Sequence, residues 1–314
     1  MIAPRVSLTK LVVSFAFASW TATVFGATGA GPDAFGYTAA ATTFSFEDLT
    51  NPDVPSTGIL EGTDDSTVTI PIGFPFTYYG VTYTSVTVST NGILTFGGAN
   101  TSHTAININT TTTSPDLPTI CVFWHDWTFV YKDTDEALYA TLGTPGNRRL
   151  IVQWDFVLAA LPSPSLDTVT FQVKLFEGTN NIEFHYDDAT VTDDATVSNG
   201  KATTVGIRDT HGQGATNRAL QWSFNQAVIQ DGTAIKYTAP QFSVNAISRI
   251  SATQVLLDCT GAPSRVNHVQ STTALGLAFA TQANVTASAT GHFTYTDSNA
   301  GAAVPRRFYR VTSP

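Results

Sequence analysis

Apolar and polar residues alternate along many short segments of this chain, and a period of two residues is the pattern of a β-strand with one buried face. The segment RLIVQWDF, residues 149–156, is the clearest example. One predicted face carries Leu150, Val152, Trp154 and Phe156, and the other carries Ile151, Gln153 and Asp155. No segment combines a helical period with helix caps over a dozen residues, so the predicted fold class is all-β.

Two short polar segments predict hairpin turns between such strands. Asn91-Gly92 lies inside VTVSTNGILTF, and this dipeptide favours the positive φ angles of a tight hairpin. EGTNN, residues 177–181, separates FQVKL from IEFHY in the same way. We therefore expect two antiparallel strand pairs at these positions.

The strand pattern divides into two parts near Thr238-Ala239-Pro240, where the composition changes. Residues 41–240 predict an antiparallel β-sandwich domain. Residues 241–314 carry their own alternation in ISRISA, QVLLDC, RVNHVQ, GHFTYTD and RRFYRV, which predicts a small C-terminal β-sandwich module of immunoglobulin or fibronectin type. A module of that size is close to the lower limit for an independent core, so we expect it to be stabilised by contacts with its neighbour or with a partner.

The N-terminus has the pattern of a signal peptide. Arg5 and Lys10 precede the apolar run 11–25, which is followed by Gly26 and Ala27. The run is short for a membrane span and contains hydroxyl residues, so an uncleaved anchor is the less favoured alternative. We predict a signal peptide at residues 1–26, a flexible leader at 27–40, and a chain that is secreted or held at the cell surface.

Composition limits the partners of this chain. Charged residues make up 12% of it and the net charge is −9, so nucleic acid is not an expected partner, because it requires a basic patch. Cys121 and Cys259 lie in separate apolar segments without metal or redox spacing. We predict two buried free thiols, with an inter-domain disulfide as the alternative.

The segment WHDW concentrates the residue types most suited to a binding site. In a strand, His125 and Trp127 would share one face, and Trp124 and Asp126 the other, which separates the imidazole from the carboxylate. We expect core packing here, with a ligand surface at Trp124, His125 and Asp126 as the alternative. Two further aromatics, Tyr78 and Tyr79, are candidate ligand-binding residues if they are exposed beside Gly80.

Acidic residues suggest two other kinds of site, and each has a plain surface interpretation. Asp133, Asp135 and Glu136 are oxygen-rich and lie near a turn, which makes them weak calcium candidates, although solvated turns are the favoured interpretation. A glycosidase pair could be drawn from Asp126, Asp155 and Glu183, but exposed strand carboxylates are common. The common local motifs of hydrolases and nucleotide-binding enzymes do not occur, so no cofactor and no catalysis are predicted.

Several segments together carry a family resemblance. IPIGFPFTYYGVTYTSVTVSTNGILTFGG, FWHDW, GTPGNRRLIVQWDFV, TVTFQVKLFEGTNNIEFHYDD and ATTVGIRD resemble nidogen-type extracellular β domains found in bacterial secreted proteins, over about residues 60–237. His125 stands where that pattern has an aspartate. The segments STTAL, TGHFTYTD and RRFYRV resemble short β-sandwich modules that end many bacterial secreted proteins. The resemblance implies location and architecture rather than an activity.

Two functions fit these expectations. The first is a non-catalytic, adhesion-type interaction with an extracellular protein or matrix polymer. The second is binding or degradation of an extracellular polysaccharide, suggested by the aromatic residues and scattered carboxylates.

Overall fold

A computed structural model describes residues 30–110, 116–130, 136–159, 167–210, 218–300 and 306–313. This part of the chain is built from antiparallel strands and one short 3-10 turn, Ser198–Gly200, which confirms the predicted all-β class. The strands are β1 (Thr38–Ala41), β2 (Thr57–Ile59), β3 (Thr67–Tyr78), β4 (Val81–Ser89), β5 (Ile93–Thr95), β6 (Thr119–Trp124), β7 (Trp127–Thr128), β8 (Glu136–Leu142), β9 (Arg149–Ala159), β10 (Val169–Phe176), β11 (Ile182–Asp188), β12 (Thr204–Arg208), β13 (Ala219–Phe224), β14 (Thr233–Thr238), β15 (Ser243–Arg249), β16 (Val255–Thr260), β17 (Val266–Thr272), β18 (Ala280–Thr286), β19 (His292–Asp297) and β20 (Phe308–Thr312).

The first fourteen strands form two sheets. The larger sheet has the order β1-β14-β11-β10-β9-β8-β2, with β7 paired to β9, and the smaller sheet has the order β13-β12-β6-β5-β4-β3. Alternate residues of both sheets meet in one apolar core. From β9, Leu150, Val152 and Trp154 enter this core as the period of two predicts.

Both predicted hairpins are confirmed. β4 pairs with β5 across Asn91-Gly92, and Gly92 has a φ of 71°. β10 pairs with β11 across the second turn, where Gly178 and Asn180 have φ angles of 76° and 54°. The left-handed conformation is accessible to glycine and tolerated by asparagine, which explains why these residue types occupy the turns.

The C-terminal strands form two further sheets, β15-β16-β19 and β18-β17-β20. Their shared core includes Leu257, Cys259 and Val269. β18 was not anticipated, because ATQANVT is polar and exposed along most of its length. This module contacts the first domain where the Arg265 Nε donates to the backbone oxygen of Asp33 at 3.0 Å.

The predicted flexible leader is wrong for residues 30–40, while residues 1–29, with the predicted signal peptide, lie outside the described residues. β1 adds to the edge of the larger sheet by pairing with β14. Phe35 and Tyr37 are buried, and the Phe35 ring packs against Phe242 of the C-terminal part at 5.9 Å between centroids. The composition of this segment suggested a flexible leader. The contacts that hold it in place involve β14 and Phe242, which are far away in the sequence and could not be inferred from the segment itself.

Residues 43–50, here named the strap, cross the outer face of the larger sheet. Its backbone N–H groups at Ser45, Glu47 and Leu49 donate in turn to side chains of β11, β10 and β9. The strap covers Gln153 on the face of β9 opposite the core, which explains why this polar side chain is buried.

Glu47 attaches the strap to the sheet through ion pairs with Arg149 and Lys174, and these ion pairs predict that the stability of the fold depends on pH. Burial alone would raise its pKa, but hydrogen bonds and ion pairs with Arg149 and Lys174 outweigh burial and lower the pKa from 4.5 to about 2. A carboxyl with a lowered folded-state pKa stabilises the fold fully above pH 4.5, and this stabilisation is lost as the pH falls toward 2.

We therefore expect Glu47→Gln to lower the melting temperature at pH 7, and the difference from wild type to shrink steadily below pH 4.5. Thermal melts followed by circular dichroism across this range measure the effect. Asp53→Asn, at an exposed acid just beyond the strap, is the matched control and should show no such difference. A Glu47→Gln effect that is independent of pH would contradict the charge argument.

Both cysteines are buried and unpaired, as predicted. Burial raises the pKa of the Cys121 thiol to about 12 and that of the Cys259 thiol to about 11. Thiols of this kind are poor nucleophiles, because the reactive form is the thiolate.

Among the described residues, no helix has the length and apolar character needed to cross a bilayer.

Candidate polar cluster at one end of the sandwich

Asn91 organises the loops at one end of the smaller sheet. Its side chain is fully buried, and its Oδ1 accepts the Trp127 backbone N–H at 3.0 Å. Its Nδ2 donates to Asp65 Oδ1 at 2.8 Å and approaches the backbone oxygen of Thr101 at 3.3 Å. One amide therefore ties together three segments that are far apart in the sequence.

These segments bring Asp65, His103 and Asp126 together in a group that we name the polar cluster. The potential ligand atoms of the three side chains lie within 4.8 Å of one another. The Asp65 Oδ2 is 3.2 Å from His103 Nδ1, and Asp65 adopts a φ of 45°. Carboxylate and imidazole groups at this spacing could hold one divalent cation, and all three are at least partly exposed.

Sequence reasoning identified only Asp126 of this cluster. Asp65 and His103 are contributed by separate loops, and each stands in a polar stretch without a recognisable ligand motif. Asn91 could have pointed to the cluster, because its side chain joins the loops that form it. The sequence analysis used Asn91 only to predict a hairpin turn. Contacts between such distant residues do not produce a recognisable spacing of residue types in the sequence.

The carboxyl of Asp126 is electrostatically unfavourable in the folded protein. Burial raises its pKa, His103 lowers it, and the neighbouring carboxylates of Asp65 and Asp64 raise it further. Because the raised pKa disfavours the charged form in the fold, Asp126 costs stability at neutral pH and costs none below the unfolded-state value of 3.8.

We expect Asp126→Asn to raise the melting temperature at pH 7 and to leave it unchanged near pH 3, as measured by differential scanning fluorimetry. The exposed Asp53→Asn variant is the control for removing one negative charge elsewhere. Millimolar calcium or manganese distinguishes metal binding, since a cation held by the cluster raises the melting temperature of wild type more than that of Asp126→Asn. A lower melting temperature for Asp126→Asn at pH 7 would contradict the argument that burial and the neighbouring carboxylates make the charged Asp126 unfavourable.

Trp124 is a packing residue on the outer face of the smaller sheet. Its side chain is fully buried against Ile93, Ile108 and Cys121. Its Nε1 donates to the backbone oxygen of Ser102 at 2.8 Å. Ile108, in the polar segment that begins at residue 101, is also buried and packs against this tryptophan.

His125 lies on the other side of the strand from Asp126, as the period of two predicts. Its ring packs edge-on against Trp127 at 4.8 Å between centroids, and its Nδ1 is 3.2 Å from the backbone oxygen of Ala202. Burial lowers the His125 pKa, more than the contact with Ala202 and the charge of Asp194 raise it. The imidazole is therefore held neutral and packed, away from the polar cluster.

The expected exposure of Tyr78 and Tyr79 is wrong. Tyr78 is fully buried, and its hydroxyl donates to the backbone oxygen of Thr119 at 2.8 Å. Tyr79 is also buried, with its hydroxyl donating to Asp33 Oδ2 at 2.7 Å. Since Asp33 belongs to the segment that was predicted to be a flexible leader, the partner of Tyr79 was not visible locally. Neither ring is available to stack on a sugar.

The remaining acidic candidates do not form one site. Asp133 and Asp135 lie outside the described residues, and Glu136 is the first residue of β8. Of the proposed glycosidase carboxylates, Asp155 accepts from Gln153 at 3.0 Å and Glu183 pairs with Lys236 at 3.1 Å. Asp126 instead lies in the polar cluster with Asp65 and His103.

The first fourteen strands therefore form a two-sheet antiparallel β domain with a polar cluster in its loops. Residues 36–255 match the sequence profile of the family described as NIDO related. Because the match covers more than half of the chain, this protein belongs to that nidogen-related family. Neither the curated proteins nor the solved structures that were compared contain a match to it.

Proposed function

We propose that this protein is a non-catalytic, adhesion-type interaction module that works outside the cytoplasm. The observation that carries the proposal is its membership of the nidogen-related family over residues 36–255. Two-sheet β domains of this kind offer loop ends and sheet faces as binding surfaces on a rigid scaffold. The partner is an extracellular protein or a matrix polymer, bound at the cell surface or in the matrix of a bacterium.

The burial of the three aromatic residues considered for ligand binding supports a protein partner over a polysaccharide. Sugar-binding surfaces expose tryptophan or tyrosine faces, whereas Trp124, Tyr78 and Tyr79 are all buried. Two of the three candidate carboxylates for glycoside hydrolysis are bound by other side chains, Asp155 by Gln153 and Glu183 by Lys236. The polysaccharide alternative remains an outcome of the test.

The test uses the chain without residues 1–26 on two arrays, one of extracellular matrix and surface proteins and one of glycans. A reducing-sugar assay on matched polysaccharides runs in parallel. We expect saturable binding to a protein and no sugar release. Binding confined to glycans, or catalytic release of reducing sugar, would overturn the proposal.

Export of the chain is part of the same proposal and is tested separately. The charge, apolar length and small residues of the N-terminal 27 residues predict cleavage after Gly26. We expect N-terminal sequencing of protein expressed in a bacterial host with a general secretion system to begin near Ala27, in the extracytoplasmic fraction. An intact Met1 on cytoplasmic protein would contradict export.

A further inference from the structure

The strap crosses the larger sheet as an extended peptide bound by side chains. The backbone N–H of Ser45 donates to His185 Nδ1 at 3.3 Å. Two residues later, the N–H of Glu47 donates to Gln172 Oε1 at 3.1 Å, and Gln172 Nε2 donates back to the Glu47 backbone oxygen at 3.1 Å. These contacts address the peptide backbone and would accept many sequences.

The next residues along the strap add sequence requirements. The Glu47 carboxylate pairs with Lys174 at 2.7 Å and with Arg149. Leu49 is buried against Leu138, Ala140 and Ile151. Its N–H donates to Gln153 Oε1 at 2.9 Å. The face therefore selects an acidic residue followed two positions later by a leucine.

The covered face has the character of a surface that can also be exposed to water. A permanently covered sheet face is generally apolar, but here the side chains beneath the strap include Gln153, Gln172, Lys174 and His185, beside the apolar patch that receives Leu49. In the described structure, no backbone-to-backbone hydrogen bond joins residues 43–50 to the sheet. Release of the strap would expose polar groups that water can satisfy.

We propose that this face is a binding site for extended acidic-x-leucine segments of a partner protein, and that the strap occupies it in cis as a competing ligand. The proposal rests on the proposed interaction function and names the partner chemistry for one surface of it. The face is separate from the polar cluster, which involves other strands and loops. Release of the strap sets the fraction of molecules that can bind.

The probe is a fluorescein-labelled peptide of strap sequence, TTFSFEDLTN, residues 42–51. It is titrated by fluorescence anisotropy against the full chain lacking residues 1–26, as wild type and as the double variant Glu47→Gln, Leu49→Ala. Weakening the strap in cis should make the double variant bind the probe about tenfold tighter than wild type, because the face is more often free. A probe with the same two substitutions should bind neither protein.

The substitution Lys174→Met, made in the double variant, tests whether the probe binds at this face. Methionine keeps much of the side-chain length and removes the ammonium, which in the strap pairs with Glu47 and also donates to the Ser45 backbone oxygen, so the gain in affinity should be lost. The proposal is overturned if the folded double variant binds the probe no better than wild type, or if Lys174→Met leaves binding intact.

Hydrogen exchange of the wild-type chain tests the proposal if a variant fails to fold. The amides of Ser45, Glu47 and Leu49 should exchange faster than those of β10 beneath them, since the strap opens without the sheet. Equal protection of strap and sheet would overturn the proposal. The protein arrays distinguish the two proposals. If the peptide and exchange experiments give negative results but the chain still binds a protein on the arrays, this binding site is wrong and the proposed interaction function stands.

Discussion

Replacing Trp124 by alanine is expected to destabilise the protein by about 3–5 kcal/mol, the usual cost of emptying a large aromatic site in a core. The side chain is fully buried on the outer face of the smaller sheet, and its Nε1 donates to the Ser102 backbone oxygen. The substitution removes this packing and leaves that carbonyl without its donor. Urea unfolding followed by circular dichroism measures the loss.

Trp124→Phe is the matched control for this prediction. It keeps an aromatic ring against Ile108 and Cys121 but removes the donor to Ser102, so we expect a smaller loss of about 1–2 kcal/mol. A stable Trp124→Ala protein that has lost binding to a partner would make Trp124 a ligand residue and would contradict its packing role.

Replacing Gly92 by alanine is expected to cost about 2–5 kcal/mol, because two effects act together. Gly92 has a φ of 71°, which a residue with a Cβ adopts only with strain. In addition, a Cβ there would lie 2.5 Å from the backbone oxygen of Phe123 and 3.3 Å from the Phe171 ring. The backbone must shift to admit it, since a carbonyl cannot rotate away as a flexible side chain can.

Gly97→Ala separates the two effects. Gly97 has a similar φ of 79°, but nothing lies within 4 Å of the position a Cβ would take. Only the conformational term remains, so we expect a loss of about 1–2 kcal/mol. Equal losses at Gly92 and Gly97 in urea unfolding would show that the close approach of Phe123 does not matter.

The smaller sheet illustrates how far sequence reasoning reached. The Asn91-Gly92 turn was predicted because its conformation is encoded by two adjacent residues. The burial of this turn, and the use of the Asn91 side chain to join Asp65 to Trp127, were not predicted. Those contacts connect segments separated by 26 and 36 residues, and no local pattern reports them.

The wrong expectations share the same physical cause. Tyr79 was expected to be exposed because it adjoins a glycine turn, but Asp33 receives its hydroxyl. Residues 30–40 were expected to be a leader because of their composition, yet they supply β1 and that aspartate. In each case a short segment has the local composition of an exposed loop, but a segment far away in the sequence packs against it.

The sequence by itself determined the all-β class, both hairpins, the buried free cysteines and the alternation of strand faces, because each depends on neighbouring residues and on the period of two. Only the tertiary structure decided which polar side chains meet. It brought Asp65, His103 and Asp126 into one cluster and laid the strap across the larger sheet. Such contacts arise from the order of strands in the sheets and the paths of long loops, and a single sequence encodes these only through the fold as a whole.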